Sequence, residues 1–476
     1  MKHVLAPLLI LLSFTVPAQP RHIQDSACPI KIDSSFQTRC GYLLVPENRT
    51  KPNSRTIKVP FIIAYSKNPD KRKDPLLFTT GGPGGSSLGW IRGAVTHSVI
   101  LDRDCIAFEQ RGTRFALPAL ESSELSDAIM ESYRKNLNKD SMYLEGVRRY
   151  KKAMQSRGID LSGYNTDETV ADIDDLLNAL HIDSVNLLGV SYSGGLMLDV
   201  LKKDPARIRS LILDSPLPNF VPIDEDEPAN FMEALKIVCQ RCARDSADKD
   251  RYGNLFPAFQ RYFTSLNGKV LSIRYLQKGT TDTLNIHYTR NDLLDIIEGR
   301  FFNVRGIKDI PFMITEIIAG RHDPYIRDHL DNIFSPPDGP SAMRLSVYCA
   351  DQTAYHAERV LQQSHELYPF LTGYHINDVY REICDCWQVC PINRETKEPF
   401  YSAVPALLGD GELDPACRPL YIDRIHHYLP NSQRLVFPGW SHVVFLNDEM
   451  DGTLRAFLND PLKKIAPPPD AMLLDK

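Results

Sequence analysis

Short apolar runs alternate with amphipathic stretches along much of the chain. Buried parallel strands read as continuous apolar runs, whereas helices carry apolar residues every three to four positions. Most of the runs end in Gly, Asp or Pro, which is typical of a strand that meets a turn. Strands are predicted in this way at residues 57–66, 75–82, 104–112, 184–191, 208–216, 401–410 and 432–440.

Two amphipathic helices fall between these predicted strands. The first covers residues 166–182, with apolar residues on one face, Thr166 as the expected N-cap and acidic residues in the first turn. The second covers residues 194–203 and ends at Asp204-Pro205. Alternation of strand and helix predicts a parallel sheet with helices on both faces and an active edge at the carboxyl ends of the strands.

The alternation breaks in two places, at residues 121–164 and 217–398. The first stretch is charged and helical in pattern, whereas the second is rich in aromatic, Cys and charged residues and has weak strand signals. We therefore predict an α/β core formed by residues 19–216 and 399–476, with a helical extension and a large, mainly helical lid inserted at 217–398. The length of 476 residues agrees, because a single core rarely grows so large.

The first 18 residues have a basic start, an apolar run and small residues at the end, which predicts a secretory signal peptide. The run is too short for a membrane anchor and contains prolines. We therefore expect a secreted or periplasmic protein. The net charge of -5 provides no basic field, so no nucleic acid partner is expected.

All ten cysteines lie beyond residue 27, and in an exported chain an even number predicts disulfides. Cys28 and Cys40 are close enough in sequence to form one. The other closely spaced cysteines, which suggest further disulfides, are Cys239, Cys242, Cys384, Cys386 and Cys390. Three clustered thiolates are also compatible with zinc, but export favours disulfides, so no metal is expected.

Candidate chemistry centres on "LLGVSYSGG", residues 187–195. A nucleophile elbow reads G-x-S-x-G and places its serine on a sharp turn between strand and helix. With Ser191 as the nucleophile, Gly189 is in place and Ser193 replaces the last glycine; with Ser193 as the nucleophile, Ser191 replaces the first. Because the apolar run ends immediately before it, Ser191 is the predicted nucleophile. A turn that only packs a helix is the structural alternative.

A serine needs a base and an acid that orients the base. His442 follows the last predicted strand in "FPGWSHVVF" and is the predicted base. Asp414 in "GELDP" is the favoured acid, and Asp410 and Asp214 remain alternatives because each also follows an apolar run. The chain order Ser, Asp, His is that of the α/β-hydrolase fold.

Acyl transfer also needs donors for the oxyanion. The backbone N–H of Tyr192, the residue after the nucleophile, is one predicted donor. The other is Gly82 in the "GGPGG" loop after an early strand, because Pro83 has no N–H.

Together these motifs resemble the exported α/β-hydrolase aminopeptidases, the prolyl iminopeptidase and tripeptidyl aminopeptidase group of serine peptidases. The segments that carry the resemblance are "CGYLLVPENR" (40–49), "TTGGPGGSS" (79–87), "FEQRGT" (108–113), "LLGVSYSGG" (187–195), "YCADQ" (348–352), "CDCW" (384–387), "GELDP" (411–415) and "GWSHVVF" (439–445). The resemblance implies an acyl-enzyme without a metal or organic cofactor, and cleavage from a free N-terminus.

Four positions depart from the family pattern by small or conservative exchanges. They are Thr80, Glu109, Ser193 and Ser441. Binding a substrate ammonium needs anions, for which the run "IDEDEP" (223–228), Glu109 and lid carboxylates are candidates, although the run is typical of a solvated acidic linker. No amine site is assigned, and Arg111 is expected to brace the oxyanion loop.

Three function classes are compatible with these residues. The favoured one is a secreted serine aminopeptidase that acts on peptides. The second is an esterase or lactone-type hydrolase that acts on small esters with the same residues. The third, a binding protein on a hydrolase scaffold, is disfavoured because all members of the triad are present.

Overall fold

The computed structural model describes residues 22–94, 102–246, 248–302, 304–335 and 342–474. The predicted signal peptide lies outside the described residues. Ten strands form the central sheet in the order β1-β2-β3-β5-β4-β6-β7-β10-β11-β12, and β8 and β9 form a separate hairpin. The strands are β1 His22–Asp25, β2 Thr38–Pro46, β3 Thr56–Ala64, β4 Leu76–Thr79, β5 Cys105–Phe108, β6 Val185–Val190, β7 Ile208–Asp214, β8 Leu271–Leu276, β9 Thr283–Tyr288, β10 Ala406–Gly411, β11 Ser432–Phe437 and β12 Met472–Leu473.

Helices cover the sheet and make up most of the insertion between β7 and β10. They are α1 Ile91–Ala94, α2 Glu124–Lys135, α3 Lys139–Ser156, α4 Thr166–Ala179, α5 Tyr192–Lys203, α6 Ile223–Arg244, α7 Lys249–Tyr252, α8 Leu255–Ser265, α9 Arg290–Phe301, α10 Val304–Ile307, α11 Ile310–Ile318, α12 Asp323–Ile333, α13 Ala342–Tyr348, α14 Glu358–Leu367, α15 Arg381–Trp387, α16 Leu420–Tyr428 and α17 Asp451–Asn459. Among the described residues, no helix has the length and apolar character needed to cross a membrane.

The predicted α/β-hydrolase fold is confirmed. All seven predicted strands are present, and the six from β5 to β11 in the sheet order run parallel. β6 is central, with Gly189 opposite Thr79 of β4 and Leu213 of β7. Since parallel strands end at the same edge, the residues that follow β4, β6, β10 and β11 meet there.

Other strands were not predicted. β2 pairs antiparallel with β3, β1 pairs antiparallel with β2, and β2 has the half-buried pattern of an edge region rather than a continuous apolar run. The β8–β9 hairpin lies in the lid and alternates buried with exposed residues. These strands lack a continuous apolar run, so that pattern did not predict them.

The N-cap prediction at Thr166 is wrong by one residue. Asn165 is the N-cap of α4: its backbone is extended, and its side chain accepts a 3.0 Å hydrogen bond from the Glu168 N–H. Thr166 is instead the first helical residue, and its hydroxyl donates to Asp351 of the lid. An N-cap requires non-helical backbone, and only Asn165 has it.

Two disulfides are present, Cys28–Cys40 and Cys349–Cys384. The first was predicted, whereas the second joins a lid cysteine to a residue of the predicted cluster and so removes Cys384 as a zinc ligand. The expected pair of Cys239 and Cys242 is not formed. Both lie on α6 three residues apart, where helix geometry holds Cβ atoms about 5–6 Å from each other, farther than a disulfide allows. Cys386 and Cys390 also remain as thiols.

Candidate active site

Ser191 lies on the sharp turn between β6 and α5. Its backbone has φ 56° and ψ −125°, a conformation that is strained for any residue with a side chain. A Cβ atom added to Gly189 would come 2.3 Å from the carbonyl oxygen of Ser193, so the turn requires glycine there. The elbow predicted for Ser191 is therefore present in the backbone itself.

Ser193 is buried behind the elbow. Its hydroxyl accepts a 2.7 Å hydrogen bond from the Val190 N–H and has its own proton directed at the Thr79 carbonyl, 2.7 Å away. The side chain thus ties the elbow to β4. This explains how a serine is accommodated at the position where the motif has glycine.

His442 and Asp414 are in direct contact. The imidazole Nδ1 donates to Asp414 Oδ2 over 2.6 Å, while Asp414 Oδ1 accepts from the N–H groups of Ala416 and Cys417 at 2.8 and 2.9 Å. Burial lowers the pKa of His442 and the Asp414 carboxylate raises it, and the net shift is upward. Asp414 therefore orients the ring and stabilises its protonated form, as the acid of a triad does.

The two alternative acids have other positions. Asp214 accepts from the N–H groups of Val444 and Phe445 at 2.7 and 2.9 Å and so anchors the loop that carries His442. Asp410 is fully buried, and neither of its oxygens has a hydrogen-bond partner in the described part of the chain. Burial and then the neighbouring Asp414 raise the pKa of Asp410, which favours its neutral form.

The GGPG loop lies directly against the elbow. A Cβ atom added to Gly81 would lie 2.7 Å from the Cβ and 3.3 Å from the Oγ of Ser191. The next residue, Gly82, has φ 120°, and its carbonyl accepts a 2.6 Å hydrogen bond from Nη1 of Arg344 in the lid. The predicted donor Gly82 is thus next to the nucleophile, and Tyr192 begins α5 immediately after Ser191.

Glu109 and Arg111 brace the core rather than a ligand. Glu109 Oε2 accepts from the N–H groups of Ser87 and Leu88 at 2.8 and 3.2 Å, so it holds the loop that follows the glycines. The guanidinium of Arg111 is fully buried and pairs with Asp172 of α4 at 2.7 Å. Arg111 therefore supports α4. The prediction that it braces the oxyanion loop is wrong, because its guanidinium pairs with that helix instead.

Ser191 and His442 line one cavity of about 450 Å³ between the core and the lid. The lid side of the cavity is formed by Ile223, Glu227, Glu298, Phe302, Arg344, Tyr348, Ile376 and Asn377. The ring of Phe302 meets His442 edge-on, with centroids 5.8 Å apart. The lid therefore forms the outer wall of the candidate site and contacts the predicted base.

Two lid carboxylates, Glu227 and Glu298, face this cavity. Burial and then the carboxylate of Asp224 raise the pKa of Glu227, and burial and then Asp295 raise the pKa of Glu298 to about 8. Both shifts are expected where carboxylates lack a cationic partner. Both carboxyl groups by themselves therefore favour the neutral form, and a cation bound between them would lower both pKa values.

The interpretation of "IDEDEP" as a solvated linker is wrong. The run forms the first turn of α6, with Asp224 and Glu227 buried. One helical turn separates these two residues, so they share the inward face. No motif marked Glu298 or Arg344, since their place in the cavity follows only from how the lid helices pack on the core.

Comparison with known proteins agrees with this geometry. Residues 74–233 match a family model for the alpha/beta hydrolase fold, and residues 368–465 match one described as TAP-like protein. The chain has the fold of α/β hydrolases. Its resemblance to the aminopeptidase group of that class, inferred from the motifs, is confirmed.

Two characterised relatives are tripeptidyl aminopeptidases from Streptomyces coelicolor and Streptomyces lividans. Each is 26% identical over 211 residues, which cover 40% of this chain and 37% of the relative. The match thus spans little more than a third of either relative. Among solved structures, proline iminopeptidase from Mycobacterium smegmatis is 14% identical with a TM-score of 0.42, over 88% of this chain and 97% of that one.

Proposed function

We propose that this protein is an exported serine aminopeptidase, which releases residues or short peptides from free N-termini through an acyl-enzyme. The observation that carries the proposal is the combination of groups at one cavity. Ser191 and His442 line it, Asp414 is bonded to the histidine, and they are faced by Glu227 and Glu298, whose carboxyl groups form no ion pair within the described residues. A hydrolase without amine recognition has no need of the two carboxylates.

In the acylation step, Ser191 Oγ attacks the scissile carbonyl carbon while His442 Nε2 accepts the hydroxyl proton. The imidazolium that forms is stabilised by Asp414 through the 2.6 Å hydrogen bond. His442 then gives the proton to the departing amine, and the C–N bond breaks. Water repeats the sequence on the ester, with His442 again as the base, and releases the acyl product.

Negative charge develops on the carbonyl oxygen during both steps. The backbone N–H groups of Tyr192 and Gly82 are the donors that we assign to this oxyanion, because one begins α5 beside Ser191 and the other lies in the adjacent glycine loop. Arg344 acts through the loop, since its hydrogen bond to the Gly82 carbonyl restrains the Gly82–Pro83 peptide unit beside this donor.

Amine recognition follows from charge. A substrate ammonium placed between Glu227 and Glu298 would lower the raised pKa values of both side chains and favour their charged forms. The guanidinium of Arg344 lowers the pKa of Glu227 without outweighing burial, and it pairs with Asp378 at 2.6 Å. An N-acetylated substrate offers no positive charge, so both carboxyl groups would stay protonated and the charged contact would not form.

Export is part of the proposal and is supported by the disulfides. Cys28–Cys40 and Cys349–Cys384 belong to an oxidising compartment, and the first 18 residues have the sequence of a signal peptide.

The test compares alanine p-nitroanilide with its N-acetylated form. We expect wild-type kcat/KM to favour the free amine by at least about tenfold, since a hydrogen-bonded charge contributes roughly 1.5–3 kcal/mol. Glu227→Gln and Glu298→Gln should each reduce that preference. Glu225→Gln is the matched control, because Glu225 lies on the same turn of α6 and bonds the Ala357 N–H outside the cavity. Equal wild-type rates on both substrates would contradict amine recognition and indicate an esterase-type hydrolase.

A further inference from the structure

A second chamber adjoins the active-site cavity. It has a volume of about 610 Å³, and Ile376 and Asn377 line both spaces. The remaining walls of the second chamber come from α2, the start of α3, α9, α12, the β8–β9 hairpin and the segment 374–380. Nothing in the proposed chemistry uses this space, although it is larger than the cavity that holds Ser191.

Helix α9 runs along both spaces. Glu298 lines the active-site cavity, whereas Asp295 and Asp292 line the second chamber. Residues three apart lie on one helix face, and each residue rises 1.5 Å, so Asp295 is about 4.5 Å farther along the axis than Glu298. An extended peptide rises about 3.3 Å per residue, so the distance from Glu298 to Asp295 along the helix axis corresponds to one to two residues of a bound peptide.

Asp292 is fully engaged within the protein. Its carboxylate accepts from the Tyr133 hydroxyl at 2.6 Å and from the Thr289 N–H at 2.7 Å, and it pairs with Lys139. These contacts fix the start of α9 through a capping box. Asp292 therefore has a structural role, and its charge is already balanced.

Asp295 has fewer partners than Asp292. Its side chain is exposed to the chamber, and in the described part of the chain it forms no ion pair. Desolvation by the chamber walls and then the Asp292 carboxylate raise the pKa of Asp295 to about 7, whereas a hydrogen bond from Tyr374 and the charge of Lys139 oppose that rise. A cation bound beside Asp295 would lower this pKa and favour the charged carboxylate.

The chamber is also aromatic. Tyr143, Tyr374 and Tyr380 line it, and His375 stacks on Tyr380 with ring centroids 3.7 Å apart. Aromatic faces attract cations and provide apolar surface for a peptide chain. Carboxylate and aromatic groups together define a site for an ammonium or guanidinium group carried on an apolar stem.

We infer that the second chamber extends the substrate site and that Asp295 binds a cationic group of the substrate beyond the Glu227–Glu298 pair. The inference rests on the proposed aminopeptidase function. Two sources have this chemistry. One is the terminal ammonium of an acyl segment one to two residues longer, and the other is the side chain of an N-terminal Lys or Arg, whose stem is long enough to span the step.

The experiment measures kcat/KM for coumarin amides of Ala, Ala-Ala, Ala-Ala-Ala, Lys and norleucine. Wild type, Asp295→Asn and Asp295→Glu are compared with Asp328→Asn, an exposed position on α12 that lines neither space. We expect Asp295→Asn to lower either the tripeptidyl-to-alanyl ratio or the lysyl-to-norleucyl ratio about tenfold, mainly through KM. A lower tripeptidyl-to-alanyl ratio identifies the terminal ammonium as the bound group, and a lower lysyl-to-norleucyl ratio identifies the basic side chain. Asp295→Glu keeps the charge and should retain the ratio.

Ratios in Asp295→Asn equal to those in Asp328→Asn would overturn the inference. That outcome is distinct from failure of the proposed function, in which wild type would not distinguish free from N-acetylated alanine amides. Melting temperatures of the variants show whether the fold is intact. A structural role for Asp295 would lower all five rates in parallel and leave the ratios unchanged, which also contradicts the inference.

Discussion

Ser193→Gly restores the glycine of the elbow motif and tests which serine is the nucleophile. The Ser193 hydroxyl is bonded to the Val190 N–H and the Thr79 carbonyl, each at 2.7 Å, and its side chain is fully buried. It is therefore held on the sheet side of the turn, away from the cavity that Ser191 lines. Removal of this hydroxyl should affect stability and not chemistry.

The magnitude follows from the lost contacts. A buried backbone group left without its partner costs about 1–3 kcal/mol, and glycine at a helix start adds less than about 1 kcal/mol. We expect the free energy of unfolding of Ser193→Gly to fall by about 2 kcal/mol, with a melting temperature several degrees lower. The kcat/KM on alanine p-nitroanilide should stay within about twofold of wild type, since an intact triad loses no transition-state contact.

Labelling by an organophosphonate, followed by intact mass, provides the assay. Wild type and Ser193→Gly should each take up one label per chain, and Ser191→Ala should take up none. Denaturant unfolding on the same samples measures the stability change. A folded Ser193→Gly protein that neither labels nor turns over substrate would show that the elbow register is wrong, and with it the assignment of Ser191.

The remaining predictions concern the acid, the base, the lid arginine and the lid disulfide. Asp414→Asn should lower kcat by about 10⁴-fold at unchanged melting temperature, because the amide no longer stabilises the imidazolium. Since the base must be neutral and its pKa is raised, kcat/KM should increase with pH through a midpoint above 6.5, and loss of Asp414 should move that midpoint down. Arg344→Ala should lower kcat about tenfold with a smaller change in KM, because Arg344 holds both Asp378 and the Gly82 carbonyl, and recovery by Arg344→Lys would contradict this bridging role. Cys349→Ser opens a loop of 35 residues to Cys384 and should lower the free energy of unfolding by about 4 kcal/mol, measured by denaturant titration.

Local pattern was sufficient for the core of this protein. The six parallel strands of the core and β3, which pairs antiparallel with β5, were predicted because strands buried on both faces need continuous apolar side chains, a signal that neighbouring residues carry by themselves. The same holds for the elbow, where the close approach at Gly189 demands a residue without a side chain. Strands that are half exposed, such as β2 and the lid hairpin, lack that signal.

Local pattern is not decisive where several residues of suitable chemistry compete, even though Asp414 was correctly favoured over Asp410 and Asp214 as the partner of His442. Asn165 and Thr166 are both good N-caps, and only the path of the backbone selects Asn165. Asp414, Asp410 and Asp214 all follow apolar runs, and the direction of each side chain decides which of them meets His442. Spacing in sequence contains no information on that direction once the chain leaves a strand.

The sequence by itself determined the α/β sheet, the turn at Ser191 and the candidate serine, acid and base, because each of these is marked by residues that lie close to it in the chain. Only the tertiary structure decided what surrounds them. Glu227, Glu298 and Arg344 come from separate lid helices and meet the core through long-range packing. Local motifs thus mark the candidate catalytic residues, whereas the carboxyl groups that we propose bind the substrate amine come together only where distant helices pack.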